Sequence, residues 1–246
     1  QAGKLATTSI HNTYFGGEAG SGQTTGDGNV YIGYQAGPNQ GILTDSTAAA
    51  NVAVGFGSGK SLSTGANNSL FGYAAGASLT SGQDNVYIGY QAADSATTGS
   101  GNIAIGENAL GALTAGSNNT AIGRDAMSLH NVDSNSNVAL GFSALKVNVA
   151  GCRNTALGVN ALAAQNTSGG AADTDNVAVG TSAGKSITSG TSNTFVGTNA
   201  GLYATTTDTC TFIGNKAGQG IEGTKLTGNR NTAIGNNAGL LLQGTA

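Results

Sequence analysis

Two short runs in this chain carry the residue types of a phosphate-binding loop: Gly57-Ser58-Gly59-Lys60-Ser61 and Ala183-Gly184-Lys185-Ser186. Such a loop also needs a glycine five residues before the Gly-Lys pair, so that backbone N–H groups can surround the phosphate oxygens. Those places hold Val54 and Val179, and phosphate binding is set aside. His11 and His130 lie far apart in the chain, and neither has a metal-ligand or triad spacing to another candidate. The acids are scattered without a carboxylate pair that could divide acid and base roles. The sequons at Asn67, Asn118 and Asn166 are expected by chance in a chain so rich in Asn, Ser and Thr. These residues predict no enzyme, no metal and no cofactor.

One set keeps a sharper chemical meaning. Tyr34, Phe56, Tyr73 and Tyr90 follow one another at intervals of 22, 17 and 17 residues. If a repeating scaffold lines them up, they form an aromatic stripe. Aromatic faces pack well on the apolar faces of sugar rings, and aromatic side chains also dominate protein interfaces. The stripe is therefore a candidate contact for a cell-surface glycan or receptor, or a packing seam between subunits.

The scaffold that would position it is a repeat. The phrase Asn119-Thr120-Ala121-Ile122-Gly123-Arg124-Asp125-Ala126 recurs thirteen times, opening at Asn12, Asn29, Asn51, Asn68, Asn85, Asn102, Asn119, Asn137, Asn154, Asn176, Asn193, Cys210 and Asn231. The asparagine fails only at Cys210, and the alanine at position 8 only at Ser58. The glycine at position 5 never fails: Gly16, Gly33, Gly55, Gly72, Gly89, Gly106, Gly123, Gly141, Gly158, Gly180, Gly197, Gly214 and Gly235. These glycines are read as structural turns, because glycine takes positive φ without steric cost. The base period is 17, too short for a helical-pair repeat of about 33 residues. A strand-like core closed by a glycine turn predicts one coil of a parallel β-roll or β-solenoid. About thirteen coils, stacked at roughly 4.8 Å, make a rod of roughly 60 Å.

Within a coil, position 4 (Phe15, Ile32, Val54 and onward) is the most apolar column, and this predicts that positions 2 and 4 face the interior. Position 3 would then face outward. It reads Tyr14, Tyr31, Ala53, Leu70, Tyr87, Ala104, Ala121, Ala139, Ala156, Ala178, Phe195, Phe212, Ala233, without one charge. An uncharged outward column predicts a strand buried on both faces, and so an oligomer interface with other copies of the chain. The asparagines are expected to bond amide to amide from coil to coil. A second, weaker strand is expected at position 12, carrying Leu62, Leu79, Leu113 and Ile187.

The whole-chain balance agrees with a fibre. Gly is 42 of 246 residues, charged residues are 9%, aromatics 5%, and the net charge is −3. Nucleic acid is not an expected partner of so weakly charged a chain. No apolar run approaches the roughly 18 residues of a membrane helix, and no membrane insertion is expected. Cys152 and Cys210 fall three to four coils apart, beyond the about 7 Å reach of a disulfide, and both are expected to be free. Residues 1–11 form a lead-in, and 12–246 read as one repeat domain with insertions near 37–50, 163–175 and 218–230. The 18-residue interval at His130–Ser136 reads as a one-residue bulge. The chain opens with Gln and shows no signal peptide, as a processed chain or a piece of a longer fibre would.

The phrase as it stands in Asn102-Ile103-Ala104-Ile105-Gly106-Glu107-Asn108-Ala109 resembles the head repeats of trimeric autotransporter adhesins, and similar repeats in phage tail fibres and bacterial surface fibres. The likeness runs over residues 12–239. It implies a left-handed, trimeric roll on an extracellular, cell-surface or virion fibre. The expected function is thus a non-enzymatic adhesive or structural segment binding a surface ligand. The alternatives are a filament subunit that polymerises head to tail and, further off, an ice-binding solenoid.

Overall fold

Each opening asparagine leads into a strand of three residues that ends on the invariant glycine. A computed structural model describes all residues except 40–45, 130–133, 149, 166–171, 225 and 242–246. Two compact units carry the strands, Gln1–Asn119 and Thr120–Ala246. In the first, Thr13–Phe15, Val30–Ile32, Val52–Val54, Ser69–Phe71, Val86–Ile88 and Ile103–Ile105 pair in parallel and in that order. In the second, Thr120–Ile122, Val138–Leu140, Thr155–Leu157, Val177–Val179, Thr194–Val196, Thr211–Ile213 and Thr232–Ile234 do the same. The register never slips: position 3 always faces position 3, as in Tyr87↔Ala104 and Phe195↔Phe212. The fold is all-β, a parallel β-solenoid with a period of about 17, and the described residues contain no helix.

The expected second strand does not form. After the glycine the coil runs through turns and bends, with only single bridges such as Ala204↔Leu226 and one two-residue pair, Gly151–Cys152 with Ala172–Asp173. Leu62, Leu79, Leu113 and Ile187 are nevertheless fully buried. They fill the interior from irregular backbone, because three left-handed residues per coil turn the chain too sharply for a strand. In the Asn85 coil, for example, Gln91, Ala93 and Gly101 have φ of 52°, 48° and 67°.

The interior answers a question of volume. Where position 3 is large, position 9 is usually glycine: Tyr31 with Gly37, Leu70 with Gly76, Phe195 with Gly201, Phe212 with Gly218. A Cβ on Gly201 would stand 2.6 Å from the Phe195 ring. Where position 3 shrinks to Ala104, Ala121, Ala139 or Ala156, position 9 grows to Leu110, Met127, Leu145 or Leu162, all fully buried. Those four adopt φ of 49–55°. That conformation costs about 1–2 kcal/mol, and burying the side chain contributes about 1.5–3 kcal/mol. Burial therefore wins narrowly.

Residues 1–11 are the back half of a coil in register with the next. Ala2-Gly3 takes the places of Ala19-Gly20, and Gly3 and Thr7 donate their N–H groups to the Ala19 and Thr24 carbonyls at 2.9 and 3.0 Å. The third insertion leaves and rejoins between positions 11 and 12, and the described flanks of the first place it there too. The strand and its glycine stay uninterrupted. The proposed bulge at His130–Ser136 falls largely on residues outside those described.

Three core phenols give the fold an alkaline limit. Burial pushes the Tyr14 phenol up to about 12. It also pushes Tyr31 and Tyr87 well above the ordinary 10.0. The unfolded chain releases these protons near 10, so their stabilisation is complete below that pH and is lost as pH rises toward the folded values. Tyr31→Phe combined with Tyr87→Phe should therefore raise the pH midpoint of alkaline unfolding, followed by circular dichroism. An unmoved midpoint would show that these phenols are not what limits the fold.

Candidate functional site

Alternation along a three-residue strand leaves two choices, and the asparagine decides between them. Its amide is satisfied inside the coil. Asn85 Nδ2 donates to Asn68 Oδ1 at 3.0 Å and to the Gly99 carbonyl at 2.9 Å, while its Oδ1 accepts the Asn102 N–H at 2.9 Å. The same pattern runs from Asn12 to Asn119 and from Asn137 to Cys210. With position 1 inward, position 3 must be inward too. This corrects the sequence expectation. Tyr31, Ala53, Leu70, Tyr87, Ala104, Ala121, Ala139, Ala156, Ala178, Phe195 and Phe212 are fully buried in their own chain, Ala233 nearly so, and Tyr14 is half-buried. They cannot be the oligomer interface.

The columns expected inside are the ones that face out. Position 4 is half-buried or exposed along both units, from Phe15 (74% exposed) to Ile234 (67%). Position 2 is likewise half-buried or exposed, from Thr13 to Thr232. Neither column holds a charge, and position 4 holds no polar residue at all. The Thr/Val column at position 2, expected inward, therefore faces out, beside a position 4 that offers Phe, Ile, Val and Leu only.

Beyond the strand, the glycines at position 5 have φ of 123–139° and lie one over another. Position 6 follows, and there Tyr34, Phe56, Tyr73 and Tyr90 form the expected stripe. The rings stack at centroid distances of 5.4, 5.3 and 5.1 Å, with the last two pairs nearly parallel at 10° and 12°. Each remains about half exposed, at 46–51%. The faces between neighbours are occupied by each other, so the ladder presents mainly ring edges and hydroxyls. This undercuts a sugar contact, which needs a free face. In the second unit the same column puts the Arg124 guanidinium 4.7 Å from the Phe142 ring centroid.

The other motif residues have packing roles. Ser58 is buried and donates to the Leu70 and Ala75 carbonyls, so a hydroxyl replaces the usual alanine without an unsatisfied group. Gly184 makes room for the Phe195 ring. Both cysteines are free and buried. Cys210 stands in for the missing asparagine: its N–H donates to Asn193 Oδ1, its Sγ accepts the Asn231 N–H, and it approaches the Gly228 carbonyl at 3.3 Å. Arg153 bonds Asp173 at 2.6 Å and Asp175 at 2.7 and 2.9 Å across the second insertion, and this partner holds the Asp175 carboxyl below its usual range. His11 is exposed, as are Asn67 and Asn118, while His130 and Asn166 lie outside the described residues. Among the described residues, no three His, Cys, Asp or Glu side chains stand together to hold a metal ion, and no helix is long and apolar enough to cross a membrane.

Sequence reasoning assigned nothing to Tyr203. It stands at position 11, where other coils carry mostly small or aliphatic residues, and the third insertion folds beside it. An aromatic in an otherwise small column was the available signal. Comparisons with protein-family models, with curated proteins and with solved structures return no match for this chain.

Proposed function

We propose that this chain is a non-enzymatic, adhesive or structural fibre segment that assembles as a homotrimer through its outward sheet face. The observation that supports this is the unbroken apolar column at position 4 beside the uncharged column at position 2. Exposed apolar surface of this continuity marks an interaction site, and parallel sheets are ordinarily covered on both faces. The surface repeats once per coil, so a partner that meets every coil needs the same spacing. A second copy of the chain has it by construction. Three-fold symmetry and an extracellular or virion setting come from the resemblance to adhesin heads and tail fibres. The half-exposed aromatic ladder fits the rim of such an interface better than a glycan site.

Light scattering on the native particle tests the reading. The expected mass is about three times the 23.8 kDa chain. Ile88→Asp with Ile105→Asp should break the particle down, since each buried, unpaired carboxylate costs several kcal/mol. A soluble wild-type monomer would refute the trimer. A mass that climbs with concentration would favour the head-to-tail filament, and thermal hysteresis from a monomer would favour ice binding.

A further inference from the structure

We propose that a cleft formed by the third insertion binds a single uncharged sugar ring. The cleft has a volume of about 280 Å³ and is lined by Ser186, Tyr203, Thr205, Gly223 and Thr224. That is just under the roughly 300 Å³ at which small-molecule pockets begin, so it suits one ring and not an extended ligand. All of its residues belong to the second unit.

The repeat builds this site by a register constraint. The backbone of Tyr203 is held from two sides: its N–H donates to the Gln219 carbonyl at 3.0 Å, and its carbonyl accepts the Leu226 N–H at 3.3 Å. Leu226 rejoins the coil beside Ala204, and the Thr205 N–H donates to its carbonyl at 3.1 Å. Among the described residues, Ile221 to Thr224 have no place in the coil and loop out. They turn back where the Thr224 N–H donates to the Ile221 carbonyl at 3.0 Å. Gly223 caps this loop with φ of 79°, and a Cβ there would meet nothing within 4 Å, so that side is open.

The chemistry is that of sugar recognition. The Tyr203 ring supplies an apolar surface on which the C–H face of a pyranose can lie. Unlike the rings of the ladder, it has no stacked ring partner among the described residues. Hydroxyl-bearing Ser186, Thr205 and Thr224 surround it. Glu222 adds a carboxylate acceptor close to the Tyr203 hydroxyl. Partial desolvation, and then this carboxylate, raises the Tyr203 phenol above its ordinary range. The negative charge disfavours acidic sugars, and the described lining residues include no cation for a phosphate. The inference rests on the adhesive half of the functional reading and is independent of the trimer.

Saturation-transfer NMR on the full chain tests it, with methyl β-galactopyranoside, methyl α-mannopyranoside and N-acetylglucosamine as probes and N-acetylneuraminic acid as the acidic control. At least one neutral sugar should bind saturably, with a Kd on the order of 1 mM, as single-ring contacts allow. Tyr203→Ala should weaken it about tenfold, the factor that corresponds to about 1.4 kcal/mol. Glu222→Gln, at an exposed position that does not threaten folding, should weaken it several-fold. Tyr73→Ser should leave it unchanged. No saturable binding by any neutral probe, or binding indifferent to both Tyr203→Ala and Glu222→Gln, would overturn the proposal. Particle mass from the same samples keeps the two ideas apart: a trimer without sugar binding sinks only the cleft, and a monomer that binds sugar sinks only the trimer.

Discussion

Asn85→Leu is expected to destabilise the chain by about 2–6 kcal/mol, against the 5–15 kcal/mol typical of a whole domain. Asn85 is fully buried and serves the coils on both sides. Removing its amide leaves the Asn102 N–H without an acceptor and the Gly99 carbonyl without that donor. Each orphaned buried group costs about 1–3 kcal/mol. Asn68 Oδ1 keeps one of its two donors, the Asn85 backbone N–H at 3.1 Å, and so adds little. A leucine side chain would bring apolar contact, but it cannot reach either orphan. Cys210 shows which replacement the ladder tolerates, since its thiol keeps contacts of both kinds. Asn85→Cys should thus be the mildest change at this position. Guanidinium unfolding midpoints of the two variants decide the matter, and a Leu variant as stable as the Cys variant would show that the amide ladder contributes nothing.

The second large effect is Gly89→Ala, expected to cost at least about 3 kcal/mol. The φ of 139° at Gly89 lies where L residues are rarely found. Strain of that kind alone costs about 1–3 kcal/mol. The added Cβ would also fall 2.6 Å from the Gly106 oxygen and 2.7 Å from its carbonyl carbon. Both are backbone atoms of the next coil, so no side chain can yield and the stack itself must open. Gly223→Ala is the control. Its φ is also positive, at 79°, but nothing stands within 4 Å of the new methyl. It should lose only the about 1–2 kcal/mol of left-handed backbone. Melting temperatures compared by circular dichroism should therefore separate the two variants widely, and equal losses would mean that close stacking of the glycines does not matter.

The repeat and its glycines were legible because they are periodic in the sequence. The direction of the side chains was not. Positions 2, 3 and 4 are all uncharged, and 3 and 4 are both largely apolar, so hydrophobicity could not say which face was inside, and a slip of one residue exchanges the faces. Asn85 and its equivalents held the answer. The amide ladder was expected, but not its consequence: amides bonded from coil to coil in the interior put position 1 inward, and position 3 with it. Tyr87 and Phe195 were misplaced for the same reason, and their true surroundings appear only when position 9 is read together with position 3. The ladder of Tyr34, Phe56, Tyr73 and Tyr90 was legible as an alignment, but ring-on-ring stacking depends on side-chain torsions that no spacing reveals. The cleft at Tyr203 was hidden because its wall comes from residues about twenty places further on, displaced by an insertion.

Each coil hands its bonds only to the coil before and the coil after, through the same asparagine and the same glycine. Copying or deleting the coding stretch for one coil would rejoin like with like, leaving no seam in the interior. Extent is thereby a heritable variable in its own right, free to drift by whole steps under selection for reach, while chemistry at the margins evolves separately.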